Sequence, residues 1–240
     1  MKPADDFFFC QFLFEIHGRG IRRFAVIIQI YTGNYFQYQN HRCTFMIRGG
    51  GDSLMNYTQY KFARDLSWEI LIRERVCALP VPMFQLCKQM GIAVKYDDGQ
   101  LAEGSSGMAV KKGRKYIVIV RRDEPPQRQR FTIAHELGHI LVGDVGRFKL
   151  VNREPSPMDN PIEKRANVFA SRLLAPACVL WGVGAKSAAD IAKLCDISPT
   201  AAAFRWKRLQ YLYIQNHFLD SELEQKVFAQ FKDYIEKNRF

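Results

Sequence analysis

QRQRFTIAHELGHILV, residues 127 to 142, is the stretch on which the reading of this chain turns. Phe131, Ile133, Ala134, Leu137, Ile140 and Leu141 recur at helical spacing, so the segment is expected to form a helix with one buried side. Pro125-Pro126 ahead of it and Gly143 behind it are start and stop signals. His135-Glu136-Leu137-Gly138-His139 lies inside that helix. At about 100° per residue the two histidines stand roughly 40° apart and one turn from each other, so both imidazoles can reach a single ion. Glu136 falls about 60° from His139, beside such an ion rather than on it. A carboxylate there can take a proton from water. The same pentapeptide could also be a core helix with two hydrogen-bonded histidines, and a third ligand decides between the two.

Hydrolytic zinc usually has three protein ligands and one open position, so a further donor is expected on a second helix facing the first. PIEKRANVFASRLLAP, residues 161 to 176, fits that need. Pro161 suits a first helical turn, Pro176 suits the end, and Glu163, Asn167, Ala170 and Leu174 follow one face. Glu163 is the expected third ligand, and Asn167, one turn on, is placed to hydrogen-bond a ligating imidazole and fix its tautomer. Taken alone, Glu163 would read as a solvated first-turn carboxylate favoured by the helix dipole. Glu154, in a Pro-rich loop, is a weaker rival for the ligand position.

H-E-L-G-H followed by E-x-x-A-N-x-F-A-x-x-L-L-x-P resembles the ImmA/IrrE family of bacterial metallopeptidases, over a span from about Tyr57 to the C-terminus. The resemblance implies a gluzincin-like core with Zn2+ held by His135, His139 and Glu163, and Glu136 as the catalytic carboxylate. It also implies a regulatory endopeptidase whose substrate is a helix-turn-helix transcriptional repressor, in mobile-element or stress-response control. Members often carry a second acid just before the Ala-Asn pair, where this chain has Arg165. In this scheme the metal lowers the pKa of water toward about 7 and Glu136 accepts its proton. The competing function is a non-catalytic anti-repressor or DNA-binding regulator with a structural zinc site. A base beside the ligands argues against it, because a structural site needs none and closes its fourth position. A third reading is a peptidase that acts only on a signal. Ligand type makes zinc the default, although manganese or iron suits the same donors.

The chain of 240 residues, 48% of them hydrophobic, suffices for one compact domain with an extension or for two small domains. No apolar run reaches the eighteen or so residues of a membrane span, and FFFCQFLFEI at 7–16, preceded by Asp5-Asp6, is not a secretory signal. Six cysteines without a C-x-x-C pair suit a reduced cytoplasmic protein. Cys178 or Cys195 as a redox sensor competes with the commoner reading of inert buried thiols. The net charge of +11 suits an acidic partner, nucleic acid or protein.

The expected fold is α+β: a small antiparallel or mixed sheet packed on the H-E-x-x-H and Glu163 helices, followed by a helical C-terminal region. Residues 1–54 read as a doubtful N-terminal extension. Arg48-Gly49-Gly50-Gly51 can be encoded by a purine-rich stretch resembling a ribosome-binding site, which makes Met55 the expected true start; N-terminal mass analysis of the native protein decides it. The rival is a small β-rich extension with a buried strand at 24–31. Residues 55–180 form the expected peptidase domain, with helices at 57–76 and 81–90, a strand at 92–96 and a hairpin of 108–110 with 115–121. That hairpin or its neighbour is the expected platform for an extended peptide. Residues 143–160 form a loop near the site, a candidate lid. Residues 181–240 are helical, with a helix-turn-helix-like segment at 187–208. Thr200 and alanines stand where base-reading residues would be, so packing or substrate docking is favoured there over direct DNA recognition. A final helix is expected over 220–240. Tyr211, Tyr213 and His217 are candidate oxyanion donors.

Overall fold

The computed structural model describes residues 51–145 and 160–239, with side chains from residue 58 onward, and four two-residue strands before residue 51. Backbone proximity separates Met1–Gly51 from Asp52–Phe240. In the first unit, β1 (Phe12–Leu13) pairs antiparallel with β2 (Val26–Ile27), and β3 (Tyr31–Thr32) with β4 (Tyr35–Phe36). The expected strand at 24–31 falls largely outside the described residues, as do Glu154 and the Pro-rich part of the candidate lid.

The second unit opens with α1 (Gly51–Arg73), whose Ala63, Leu66, Ile70 and Leu71 are buried at helical spacing. Gln230 closes its C-terminal end, donating through Nε2 to Leu71 O at 2.7 Å and Val76 O at 2.6 Å. Carbonyls in a last turn have no partner within the helix, and this amide supplies one. After α2 (Met83–Gln89) comes a three-stranded mixed sheet in the order β5 (Ala93–Tyr96), β7 (Lys115–Val120), β6 (Gly107–Lys112). β5 runs parallel to β7 in the register Ala93 to Ile117, and β6 runs antiparallel to it in the register Met108 to Ile119. The apolar run KYIVIV becomes the central strand, with Val118, Ile119 and Val120 buried.

α3 (Pro126–Val142) packs on β6, β7 and α2, and against α4 (Pro161–Leu174). The N-terminus of α4 is capped by Asn160, whose Oδ1 accepts from Ile162 N at 2.9 Å, with proline at the first helical position. Phe169, Ala170, Leu173 and Leu174 of α4 are buried. α5 (Ala177–Gly182) follows, then α6 (Ala188–Cys195) and α7 (Pro199–Gln215), joined by Asp196 in the left-handed conformation. The expected terminal helix is two helices, α8 (Glu222–Gln230) and α9 (Lys232–Lys237), meeting at the buried Phe231. There the N–H of Phe231 is shared between Val227 O and Phe228 O, the tightening typical of a helix end. The architecture is α+β, mostly helical with one small mixed sheet. No described helix is long and apolar enough to cross a membrane.

Candidate metal centre

Two helices bring the expected ligands together. His135 and His139 lie one turn apart on α3, and Glu163 sits in the first turn of α4, which packs across it. His135 Nε2 is 3.0 Å from His139 Nε2 and 3.1 Å from Glu163 Oε2, and His139 Nε2 is 3.5 Å from Glu163 Oε1. Donor atoms of all three residues lie within 4.8 Å of one another.

Each imidazole is oriented from behind. His135 Nδ1 donates to Asn167 Oδ1 at 2.9 Å, as the spacing of Glu163 and Asn167 along α4 predicts. His139 Nδ1 donates to Asp144 Oδ2 at 3.0 Å. Both partners accept through oxygen, which places the ring proton on Nδ1 and leaves the Nε2 lone pair directed at the other ligands. Two imidazole lone pairs and a carboxylate converging in this way repel one another unless a cation lies among them. The spacing suits one: donors at 2.0–2.1 Å from a tetrahedral ion lie about 3.3 Å apart. The residues present therefore fit a zinc-like ion held by two nitrogens and one carboxylate.

Asp144 is a site residue that sequence reasoning missed. Its placement follows from how α3 ends. Gly143 takes the left-handed conformation at φ 81°, Gly143 N bonds Ile140 O and Asp144 N bonds His139 O at 2.9 Å, so the chain folds back over the last turn. That reversal carries the carboxylate of Asp144 to the ring of His139. The available signal was an acid directly after the helix-ending glycine, five residues beyond His139. Arg165, noted as a departure from the family pattern, donates from Nη2 to Asp144 Oδ1 at 2.8 Å.

Glu136 occupies the same turn of α3 as the two histidines and is 1% exposed. Each of the three candidate oxyanion donors has a described contact. Tyr213 donates to Ala185 O at 3.2 Å, Arg208 stacks on the ring of Tyr211, and His217 bonds Asp220 at 2.7 Å. Gln127 and Arg130 of α3 reach the α6–α7 turn, with Gln127 Nε2 2.9 Å from Asp196 Oδ1 and Arg130 Nε 3.4 Å from Asp196 Oδ2. Cys87, Cys178 and Cys195 are buried, and burial pushes their thiols up.

Two comparisons with known proteins bear on the chain. It is similar to the radiation response metalloprotease IrrE of Deinococcus deserti, 31% identical over 98 residues, which cover 37% of this chain and 35% of that protein. It is also similar to the radiation response metalloprotease IrrE of Deinococcus radiodurans, 31% identical over 97 residues, covering 37% of this chain and 30% of that protein. The matched segment thus spans about a third of the length of these relatives. The model of the IrrE N-terminal-like domain, a peptidase family, matches residues 87–207, half of the 240 and narrower at both ends than the span from Tyr57 to the C-terminus. All three donors, Glu136, Asn167 and Asp144 lie within that match, and the chain belongs to the IrrE N-terminal-like peptidase family.

Proposed function

We propose that this protein is a zinc-dependent endopeptidase that cleaves a helix-turn-helix transcriptional repressor. The observation that carries the reading is the convergence of His135, His139 and Glu163 within 4.8 Å, beside the buried Glu136 on the same helical turn. The naming of two relatives as metalloproteases supports the reaction class. When bound, zinc would lower the pKa of water to about 7 and polarise the scissile carbonyl. Glu136 takes the proton of the attacking water and returns it to the leaving amine. Asn167 and Asp144 hold the two imidazoles in the tautomer and orientation the ligand role demands. β5 and β6 are the sheet edges, and β6 packs on α3, so β6 is the strand to which an extended substrate segment would add.

The test is incubation of the zinc-loaded full chain with the helix-turn-helix repressor encoded nearest its gene, beside Glu136→Gln and Glu163→Ala variants, followed by intact-mass analysis. Cleavage at one bond by the wild type alone is expected, with zinc retained by Glu136→Gln and lost from Glu163→Ala. Wild-type turnover by Glu136→Gln would refute the role of that carboxylate. An intact repressor, captured by the zinc-loaded protein, would make the protein a non-catalytic anti-repressor.

A further inference from the structure

We infer that Arg165 is a positioning residue for the metal ligand His139, acting through Asp144. The inference rests on the reading of His135, His139 and Glu163 as metal ligands. Asp144 uses both carboxylate oxygens: Oδ2 accepts from His139 Nδ1 at 3.0 Å and Oδ1 accepts from Arg165 Nη2 at 2.8 Å. A carboxylate held at one oxygen can swing about its side-chain bonds. Held at both, it fixes the plane of the imidazole bonded to it. The three side chains are 2%, 13% and 17% exposed for His139, Asp144 and Arg165, so water screens the link little.

The placement of Arg165 adds a second constraint. It stands two residues after Glu163 on α4, whereas Asp144 lies just past the end of α3. The ion pair therefore ties together the two helices that supply all three ligands. Arg165 Nε is buried without an acceptor, which leaves Asp144 as the ionic partner of the guanidinium among the described residues. An acid at this position would set a second carboxylate against Asp144. The arginine here is matched to the aspartate.

The experiment is equilibrium zinc competition against a chromogenic chelator, using full-length wild type, Arg165→Gln, Arg165→Lys, Asp144→Asn and the Arg165→Gln/Asp144→Asn double variant. Thermal melts of the metal-free forms run alongside. Loss of an orienting partner weakens metal binding by about 10–100-fold, and Arg165→Gln is expected near the lower end of that range. Arg165→Lys, which keeps the charge, should recover part of the loss. In the Asp144→Asn background Arg165→Gln should have little further effect, because the link is already cut. Unchanged zinc affinity in Arg165→Gln, with only a lower melting temperature, would reduce Arg165 to a helix clamp and overturn the inference. Additive losses in the double variant would overturn it as well. Failure of the wild type to bind zinc would instead refute the metal site itself.

Discussion

Gly138, the one residue of the pentapeptide without a side chain, faces Phe169 of α4. A Cβ at that position would stand 3.0 Å from Phe169 Cδ1 and 3.3 Å from both Phe169 Cβ and Cγ. Rotation of the ring cannot relieve the contact with Phe169 Cβ, which is fixed to the backbone of α4. Phe169 is itself 0% exposed, so it has nowhere to retreat. Gly138→Ala gains about 0.8–1.0 kcal/mol of helix propensity and incurs overpacking of about 1–3 kcal/mol. The net expectation is roughly 0–2 kcal/mol of destabilisation. For a domain of this size each 1 kcal/mol lowers the melting temperature by about 2–4 °C. The displaced helix is the one that carries Glu163 and Asn167, so zinc affinity should fall together with stability, by roughly tenfold. Calorimetry of the metal-free protein and zinc competition measure the two effects. In a double-mutant cycle with Phe169→Ala, which removes Cγ and Cδ1 and leaves only the Cβ contact, the added penalty of Gly138→Ala should shrink, which locates the clash. A rise in melting temperature with unaltered zinc affinity would refute the reasoning, since it would mean that α4 yields freely at this crossing.

Asn167→Ala removes the acceptor of His135 Nδ1, and zinc affinity is expected to weaken about 10–100-fold while the helix itself persists; an unchanged affinity in the same competition assay would show that His135 needs no orienting partner. The thiols of Cys87 and Cys195 are pushed up to about 12 by burial, while Cys77 is exposed. In the unfolded chain these thiols ionise near the ordinary value of 9.0, whereas in the folded chain they stay protonated. Their contribution to stability is therefore complete below about pH 9 and is lost as pH rises toward about 12. Iodoacetamide at pH 8 should label Cys77 in the native protein and leave Cys87, Cys178 and Cys195 unmodified. Equal labelling of all four, read by peptide mass, would contradict their placement in the core.

The ligand helices were legible because their ends are written locally. Pro126 and Gly143 bound α3, and Asn160, Pro161 and the apolar spacing of Phe169, Leu173 and Leu174 define α4. The i, i+4 step in each then places His135 with His139 and Glu163 with Asn167. Periodicity described α3 less well than it located it. The stripe Phe131, Ile133, Ala134, Leu137, Ile140 and Leu141 suggests one buried side, yet Thr132 through Ile140 are buried nearly all round, His135 alone remaining partly exposed. The cause is tertiary: the sheet, α2 and α4 all pack on this helix. Asp144 was hidden for a related reason. Its role depends on a left-handed turn at Gly143 that reverses the chain, and residue spacing along a helix does not extend past that turn.

Arg205 shows where charge misleads. In the sequence it joins Lys207 and Arg208 in a basic cluster near the end of a helix-turn-helix-like segment. In the structure Ala202, Arg205 and Leu209 form the buried stripe of α7, at the i, i+3, i+7 spacing of a core face. Its Nε donates to Ala175 O at 2.7 Å, the carbonyl at the C-terminal end of α4. A guanidinium in that position is engaged with the protein's own backbone rather than offered to phosphate. On the other side of the same helix pair, Asp196 in the turn meets Gln127 and Arg130 of α3. The α6–α7 pair is thus fastened to both ligand helices, to α3 through its turn and to α4 through its second helix.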